Sequence, residues 1–147
     1  MELCIKIVDR KAPGPRYATQ GSVGFDLAAR ITMTVPPKGY AMIPLNVVVK
    51  VPSGHALLVL PRSSLFIKKG LLVANSVGVI DEDYCGPNDE IKLVVFNPLE
   101  KEVVVRRGEY IAQGILVKIE KATLKEVEEI SCEDRGGFGS TGGYNDS

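Results

Sequence analysis

Five short polar clusters interrupt the apolar runs of this 147-residue chain, and their residue types point to phosphate chemistry. "GSVGFDLAA" (21–29) sets Asp26 among apolar neighbours. "PRSSL" (61–65) joins the guanidinium of Arg62 to the hydroxyls of Ser63 and Ser64. "NSVGVIDEDYCG" (75–86) carries Asn75, Asp81, Asp83 and Tyr84 around a stretch that reads as a hairpin. "RGEYIAQG" (107–114) carries Gln113, and "RGGFGSTG" (135–142) carries Arg135, Phe138, Gly139, Ser140 and Thr141.

Together these groups suit a triphosphate. Arg62 and Arg135 each offer a forked donor to phosphate oxygens. Ser63, Ser140, Thr141 and glycine-flanked amides add neutral donors. A triphosphate in water is usually bound with Mg2+, which prefers oxygen ligands and keeps several waters. Asp26 could hold that ion through water. Asp81 could act as general base on a water attacking phosphorus, and the rings of Tyr84 and Phe138 offer faces to a sugar and a base.

Each cluster also has a plainer reading. Asp81 could be a turn former and "DEDY" a hairpin cap. Ser63 could cap a helix, and the tail could be a frayed terminus. Other phosphate and hydrolase chemistries fit poorly. No glycine-rich stretch ends in Gly-Lys-Ser/Thr, so a P-loop is not the phosphate binder. His55 is the one histidine, and nothing marks it as part of a serine–histidine–acid set.

Period-two patterns supply the frame for these clusters. "LCIKIV" (3–8), "YAMIPLNVVVKV" (40–51), "HALLVL" (55–60), "EIKLVVFN" (90–97), "EVVVRR" (102–107) and "YIAQGILVKIE" (110–120) read as strands. Pro44 suggests an edge or bulge within the second. In the last, Ile111, Gln113, Ile115, Val117 and Ile119 share a face, with Gln113 its one polar member. Turn signals such as "VPPKG", "CGPND" and "NPLEK" separate the runs. One or two helical turns are expected around 62–69. Short strands with frequent turns predict an all-β sandwich or barrel. Residues 1–133 are expected to form it, and 134–147 a flexible tail.

Composition narrows the function. Apolar residues make up 45% of the chain, enough for a real core. The 18 basic and 18 acidic residues balance, so no global field draws nucleic acid or a membrane surface. No apolar run reaches the ~18 residues of a membrane span, and "MELCIKIVDR" is not expected to be a signal peptide. Cys4, Cys85 and Cys132 are scattered and form no CxxC pair. They are expected to be reduced thiols in a cytoplasmic protein rather than zinc ligands.

In this order, the five clusters resemble the five motifs of the all-β trimeric dUTP diphosphatases (dUTPases). "GFDLAA" resembles the first, "PRSSL" the second, "NSVGVIDEDY" the third, "GEYIAQGIL" the fourth and "RGGFGSTGG" the fifth. The resemblance implies a jelly-roll-like distorted barrel, a homotrimer with active sites shared between subunits, and Mg2+-assisted hydrolysis of dUTP to dUMP and pyrophosphate. Such an activity lowers dUTP and supplies dUMP for thymidylate synthesis. It implies that Asp81 deprotonates the water attacking the α-phosphorus and contacts the 3′-hydroxyl. Asn75 and main-chain groups around Gly78 and Val79 would read uracil. Tyr84 would pack on the deoxyribose, and Asp26 would hold the ion through water. Arg62, Ser63, Ser64 and Gln113 would hold phosphates. Arg135, Gly139, Ser140 and Thr141 would reach the outer phosphates while Phe138 covers the base. The tail then becomes a lid that orders only over substrate.

Three positions depart from that pattern. Ser64 stands where the second motif usually has glycine. Cys85 stands where a basic residue often follows the tyrosine, and Pro87, Asn88 and Asp89 lengthen the turn after it. Arg135 lies three residues before Phe138, closer than in the common spacing. Two other functions compete. A dCTP deaminase, from the same superfamily, needs a glutamate where this chain has Val94, and valine shuttles no protons. A trimeric nucleotide-binding or regulatory relative would need no turnover, whereas Asp81 and a complete tail favour an enzyme.

Overall fold

The computed structural model describes residues 1–145; Asp146 and Ser147, the end of the expected tail, lie outside the described residues. Among the described residues the chain forms eleven strands and one short helix. In order they are β1 (Cys4–Ile7), β2 (Phe25–Ala28), β3 (Met33–Val35), β4 (Tyr40–Pro44), β5 (Val47–Lys50) and β6 (His55–Pro61). Then follow α1 (Ser64–Lys69), β7 (Leu72–Val73), β8 (Gly78–Ile80), β9 (Lys92–Phe96), β10 (Val103–Val105) and β11 (Tyr110–Lys118). All pairings are antiparallel, in four small sheets ordered β1-β5, β10-β3, β2-β11-β6-β8 and β4-β9-β7. The result is an all-β, jelly-roll-like distorted barrel.

Alternation decides what each strand buries. Ala41 and Ile43 of β4 and Leu93 and Val95 of β9 point inward, while their neighbours Tyr40, Met42 and Val94 point out. Leu27, Ile43, Val47, Val49, Leu57, Ile91 and Val95 are fully buried. Each such side chain contributes about 1.5–3 kcal/mol, more than the ~1 kcal/mol ceiling of most surface ion pairs. The site is therefore held by the barrel rather than by its charges.

The expected run 40–51 is two strands, β4 and β5. The chain breaks after Pro44, at Asn46, whose φ is 66°. Asparagine tolerates that left-handed conformation, and here its fully buried side chain becomes a hub. Asn46 Nδ2 donates to the carbonyls of Asp9, Ala12 and Pro13 at 3.0, 3.2 and 3.2 Å, and its Oδ1 accepts from Asp9 N at 2.7 Å. A helix does form near the expected place, ending at Gly70 with φ 70°.

One other expectation changes. The stretch 75–84 is not a two-stranded hairpin. β7 pairs with β9 and β8 pairs with β6, so the strands on either side of the turn at Asn75 and Ser76 join different sheets. In β11 the inward face is Ala112, Gly114 and Leu116, not the set containing Gln113. An irregularity between Tyr110 and Ala112 turns Ile111 inward as well. Gly114 is required there, because a Cβ would lie 2.6 Å from the Phe25 ring.

Candidate active site

The outward face of the β2-β11-β6-β8 sheet has a polar end. Gln113 stands opposite Asp26 on one side and Leu60 on the other. At the end of β6 the chain turns into α1 and delivers Arg62 and Ser63 to the same place. A depression of about 230 Å³ is lined by Asp26, Arg62, Ser63, Gln113, Gly24 and Ser22, among others. Four of the expected site residues are thus brought together by strand register.

Their hydrogen bonds orient them. Arg62 Nε lies 3.3 Å from Asp26 Oδ1, and Arg62 Nη1 donates to Tyr110 O at 3.1 Å. Asp26 is only 7% exposed, and its Oδ2 is buried without a hydrogen-bond partner. Backbone bonds to Arg16 in both directions hold the residue in place. Gln113 Nε2 donates to Pro61 O at 3.1 Å. Its Oε1 occupies the space a Cβ on Gly24 would need, 2.6 Å away. Ser63 sits at the N-cap position of α1 but makes no side-chain cap bond, so its hydroxyl is not spent on the helix. Ser64 is the first helical residue and half-buried.

Two pairs anchor the neighbourhood. Lys69, in the last turn of α1, donates to Glu109 Oε1 at 2.9 Å and to Val104 O at 3.0 Å. Burial pushes the Glu109 carboxyl up, but the hydrogen bonds from Lys69 and the Arg106 amide, with both positive charges, bring it net below the usual range. Arg30 binds the buried Glu90 carboxylate with two bonds, at 2.8 and 3.1 Å. That hydrogen bonding outweighs desolvation and raises the guanidinium further above its ordinary value.

Asp81 and Tyr84 occupy a different place. With Val79, Ile80, Met42, Lys92 and Val94 they line a second depression, of about 290 Å³. Tyr84 Oη donates to the main-chain oxygen of Glu90 at 3.2 Å, which ties the ring to the residue whose side chain pairs with Arg30. Asp81 itself is exposed. β8 carries Gly78 and Val79 and pairs with β6 alone among the described residues, leaving its other backbone edge open. Asn75 lies in the preceding turn and lines neither depression.

The two depressions are separated within one chain. Leu57 stands opposite Ile80 and Val59 opposite Gly78, so Arg62 lies past one end of this ladder and Asp81 past the other. At about 3.3 Å per residue the distance along the strands is on the order of 15–20 Å.

The tail joins neither. The last strand ends at Lys118, and residues 120–145 form no strand or helix and are almost wholly exposed. Ser140 N donates to Gly137 O, Gly142 N to Gly139 O, and Gly137 N to Ser140 Oγ. The tail therefore curls into its own tight turns, with Gly136, Gly137 and Gly139 at φ 102°, 74° and 86°. Phe138 projects fully into solvent. Arg135 and Thr141 are exposed.

Gly24, Glu90 and Arg30 were not singled out by sequence reasoning. Glu90 left one signal, an acidic residue directly preceding an apolar strand. Gly24 left none, since its role depends on where Gln113 folds.

The chain resembles known proteins along nearly its whole length. It is 39% identical over 145 residues to the deoxyuridine 5'-triphosphate nucleotidohydrolase of Hydrogenobaculum sp. (strain Y04AAS1), covering 97% of this chain and 99% of that one. It is 42% identical over 132 residues to the protein of the same name from Neorickettsia sennetsu, covering 87% of each. Among solved structures, the Staphylococcus bacteriophage 80alpha dUTPase with dUPNHPP superposes with a TM-score of 0.85 at 26% identity, covering 96% of this chain and 98% of that one. The dUTPase of Streptococcus mutans gives 0.74 at 28% identity, over 81% and 98%. The dUTPase family model matches residues 10–142, and the chain belongs to the dUTPase family.

Proposed function

We propose that this protein hydrolyses dUTP to dUMP and pyrophosphate by attack of water at the α-phosphorus, in a site completed by neighbouring copies of the chain. Family membership carries the reaction class. The separation of the phosphate-type depression from the Asp81 depression carries the shared site. A nucleotide's α-phosphate lies only a few bonds from its sugar, which favours a site whose two halves come from different copies. Exposed apolar surface supports the same reading. Tyr40, Met42 and Leu72 are 66%, 51% and 44% exposed on one sheet face, and Leu124, Val127 and Ile130 are exposed on the extended segment after β11. Apolar surface on this scale marks an association site, and the reading is a homotrimer.

In this reading the open edge of β8 and the turn at Asn75 read the uracil, with backbone donors and acceptors that no strand has claimed. Tyr84, held through Glu90, packs on the deoxyribose where a 2′-hydroxyl would clash. Asp81 takes the proton of the attacking water. Arg62, Ser63, Ser64 and Gln113 of a neighbouring copy hold phosphate oxygens. The tail, with Arg135, Phe138, Gly139, Ser140 and Thr141, closes over base and outer phosphates and excludes water.

Asp26 fits an ion held at second hand. Its unpartnered Oδ2 can accept from metal-bound water, while Oδ1 is taken by Arg62. Among the described residues no group of three His, Cys, Asp or Glu side chains gathers, so most ligands would come from phosphates and water. When bound, Mg2+ would neutralise charge developing on the phosphates. No helix of the described chain is long and apolar enough to cross a membrane; a cytoplasmic location is part of the proposal.

Val94 favours hydrolysis over deamination. It lines the Asp81 depression, and it stands where the sequence pattern of dCTP deaminases has their proton-shuttling glutamate. The test is pyrophosphate release from dUTP, dTTP, dCTP and UTP with Mg2+. Release from dUTP far above the other three is expected, and ammonia release from dCTP would overturn the reading.

A further inference from the structure

The third motif carries a cysteine directly after Tyr84, and the fold sets a second thiol near it. Cys4 begins β1 and lies opposite Lys50 of β5 in the ladder. Lys6, two residues on, shares its face by strand alternation. A depression of about 220 Å³ is lined by Cys4, Lys6, Val48, Lys50, Cys85 and Pro87, among others. Both thiols are free, Cys4 exposed and Cys85 half-exposed. Neither belongs to the phosphate-type depression or to the one lined by Asp81.

We propose that Cys4 and Cys85 form a dithiol site for peroxide oxidants, whose product is a disulfide tying the Asp81–Tyr84 turn to β1. The two parts differ in freedom. Cys4 stands on a strand registered to β5 over four residue pairs. Cys85 stands in the exposed turn between β8 and β9, which joins no ladder. Its Sγ makes one weak contact, donating to Glu82 O at 3.6 Å. The following bend is closed locally, by Gly86 N on Asp89 Oδ2 at 2.8 Å and Asp89 N on Gly86 O at 3.0 Å. Residues 82–85 can thus shift towards β1 without opening a sheet. The disulfide requires Cα atoms about 4.4–6.8 Å apart.

The chemistry balances in two steps. The sulfur of Cys4, the more exposed thiol, gives up its proton and attacks one peroxide oxygen. An S–O bond forms, the O–O bond breaks, and the departing oxyanion takes up the proton Cys4 lost, leaving as an alcohol, or as water from hydrogen peroxide. Lys6 and Lys50 line the same depression and supply positive charge near that oxyanion. Cys85 sulfur then attacks the sulfenic sulfur. The S–S bond forms, the S–O bond breaks, and hydroxide leaves with the Cys85 proton as water. Two thiols lose two electrons and the peroxide gains them.

The consequence for turnover rests on the proposed role of Asp81 and Tyr84. Pulling Cys85 towards β1 draws on Tyr84, its chain neighbour, and strains the Tyr84 Oη bond to Glu90 O. An ångström-scale misplacement beside the reacting atoms costs about a hundredfold in rate.

The experiment uses the full chain carrying Cys132→Ser, which removes the third thiol, treated with hydrogen peroxide. Intact mass should fall by two hydrogens per chain, and peptide mapping should join the Cys4 peptide to the Cys85 peptide. Dithiothreitol should reverse both. dUTP hydrolysis should fall by about tenfold or more and return on reduction. Adding Cys4→Ser should abolish the mass loss and the reversible inactivation together. The proposal is overturned if the mass instead rises by whole oxygens with no joined peptide, or if the Cys4→Ser chain forms the same product. The mass readout does not depend on dUTP turnover. A chain that hydrolyses no dUTP even before peroxide treatment and still forms the link therefore faults the proposed function, not the dithiol site.

Discussion

Arg62 Nε lies 3.3 Å from Asp26 Oδ1, while Asp26 Oδ2 is buried with no partner. One carboxylate oxygen thus orients the Arg62 guanidinium, and the other is buried without a partner beside the depression both residues line. The pair couples two parts of the proposed site, phosphate and ion, through one side chain.

Replacing Asp26 by asparagine keeps the size and removes the charge. The Mg2+ concentration for half-maximal pyrophosphate release should rise by about 10–100-fold, the usual effect of losing an outer-sphere partner. A titration of rate against Mg2+ gives the result directly. An unchanged midpoint would place the ion elsewhere.

Asp81→Asn leaves a side chain of the same shape that cannot take a proton. Turnover should fall by about 10²–10⁴-fold, while a non-hydrolysable dUTP analogue still binds by calorimetry. Turnover near the parent rate would remove Asp81 as the base.

Deleting residues 134–147 removes the tail, and among the described residues nothing that packs into the barrel. Thermal unfolding and oligomer size should be unchanged, and kcat should drop by about a hundredfold. A truncated protein that keeps its full rate would make the tail a frayed end.

Glu109 supplies a pH dependence of stability. Its folded value is held below the ordinary one by the Lys69 hydrogen bond and the Arg106 amide, against burial. A carboxylate depressed in the folded state stabilises above its unfolded value, about 4.3. That contribution disappears as pH falls through the lower folded value. Glu109→Gln should therefore cost roughly 0.5–1 kcal/mol at neutral pH, as for a partly exposed pair. In strong acid the two proteins should unfold at the same urea concentration. A gap that persists there would mean that glutamine disturbs the turn for reasons other than charge.

Strands with strong alternation were legible in the sequence because burial on one face imposes period two, as in β4, β6 and β9. The short strands β2, β3, β7 and β8 were not read as strands. Two to four residues carry too little pattern; β2, β7 and β8 lie against the longer β11, β9 and β6, and β3 pairs with the equally short β10. In β11 the shared face of Gln113, Ile115 and Val117 was legible, whereas the turning inward of Ile111 at the Tyr110–Ala112 irregularity was not, because no residue type announces it. Asp26, Arg62, Ser63 and Gln113 were legible as polar interruptions of apolar runs, and the fold does gather them.

The sequence by itself determined the all-β class, the family and the residue types available for phosphate and proton transfer, since these follow from local alternation and from motifs contiguous along the chain. Only the tertiary structure decided that Asp26 and Gln113 face each other across β2 and β11, that Glu90 supports Tyr84, and that Arg62 and Asp81 lie at opposite ends of one ladder. Such relations depend on register between strands distant in the chain, where a shift of one residue turns every side chain to the other face.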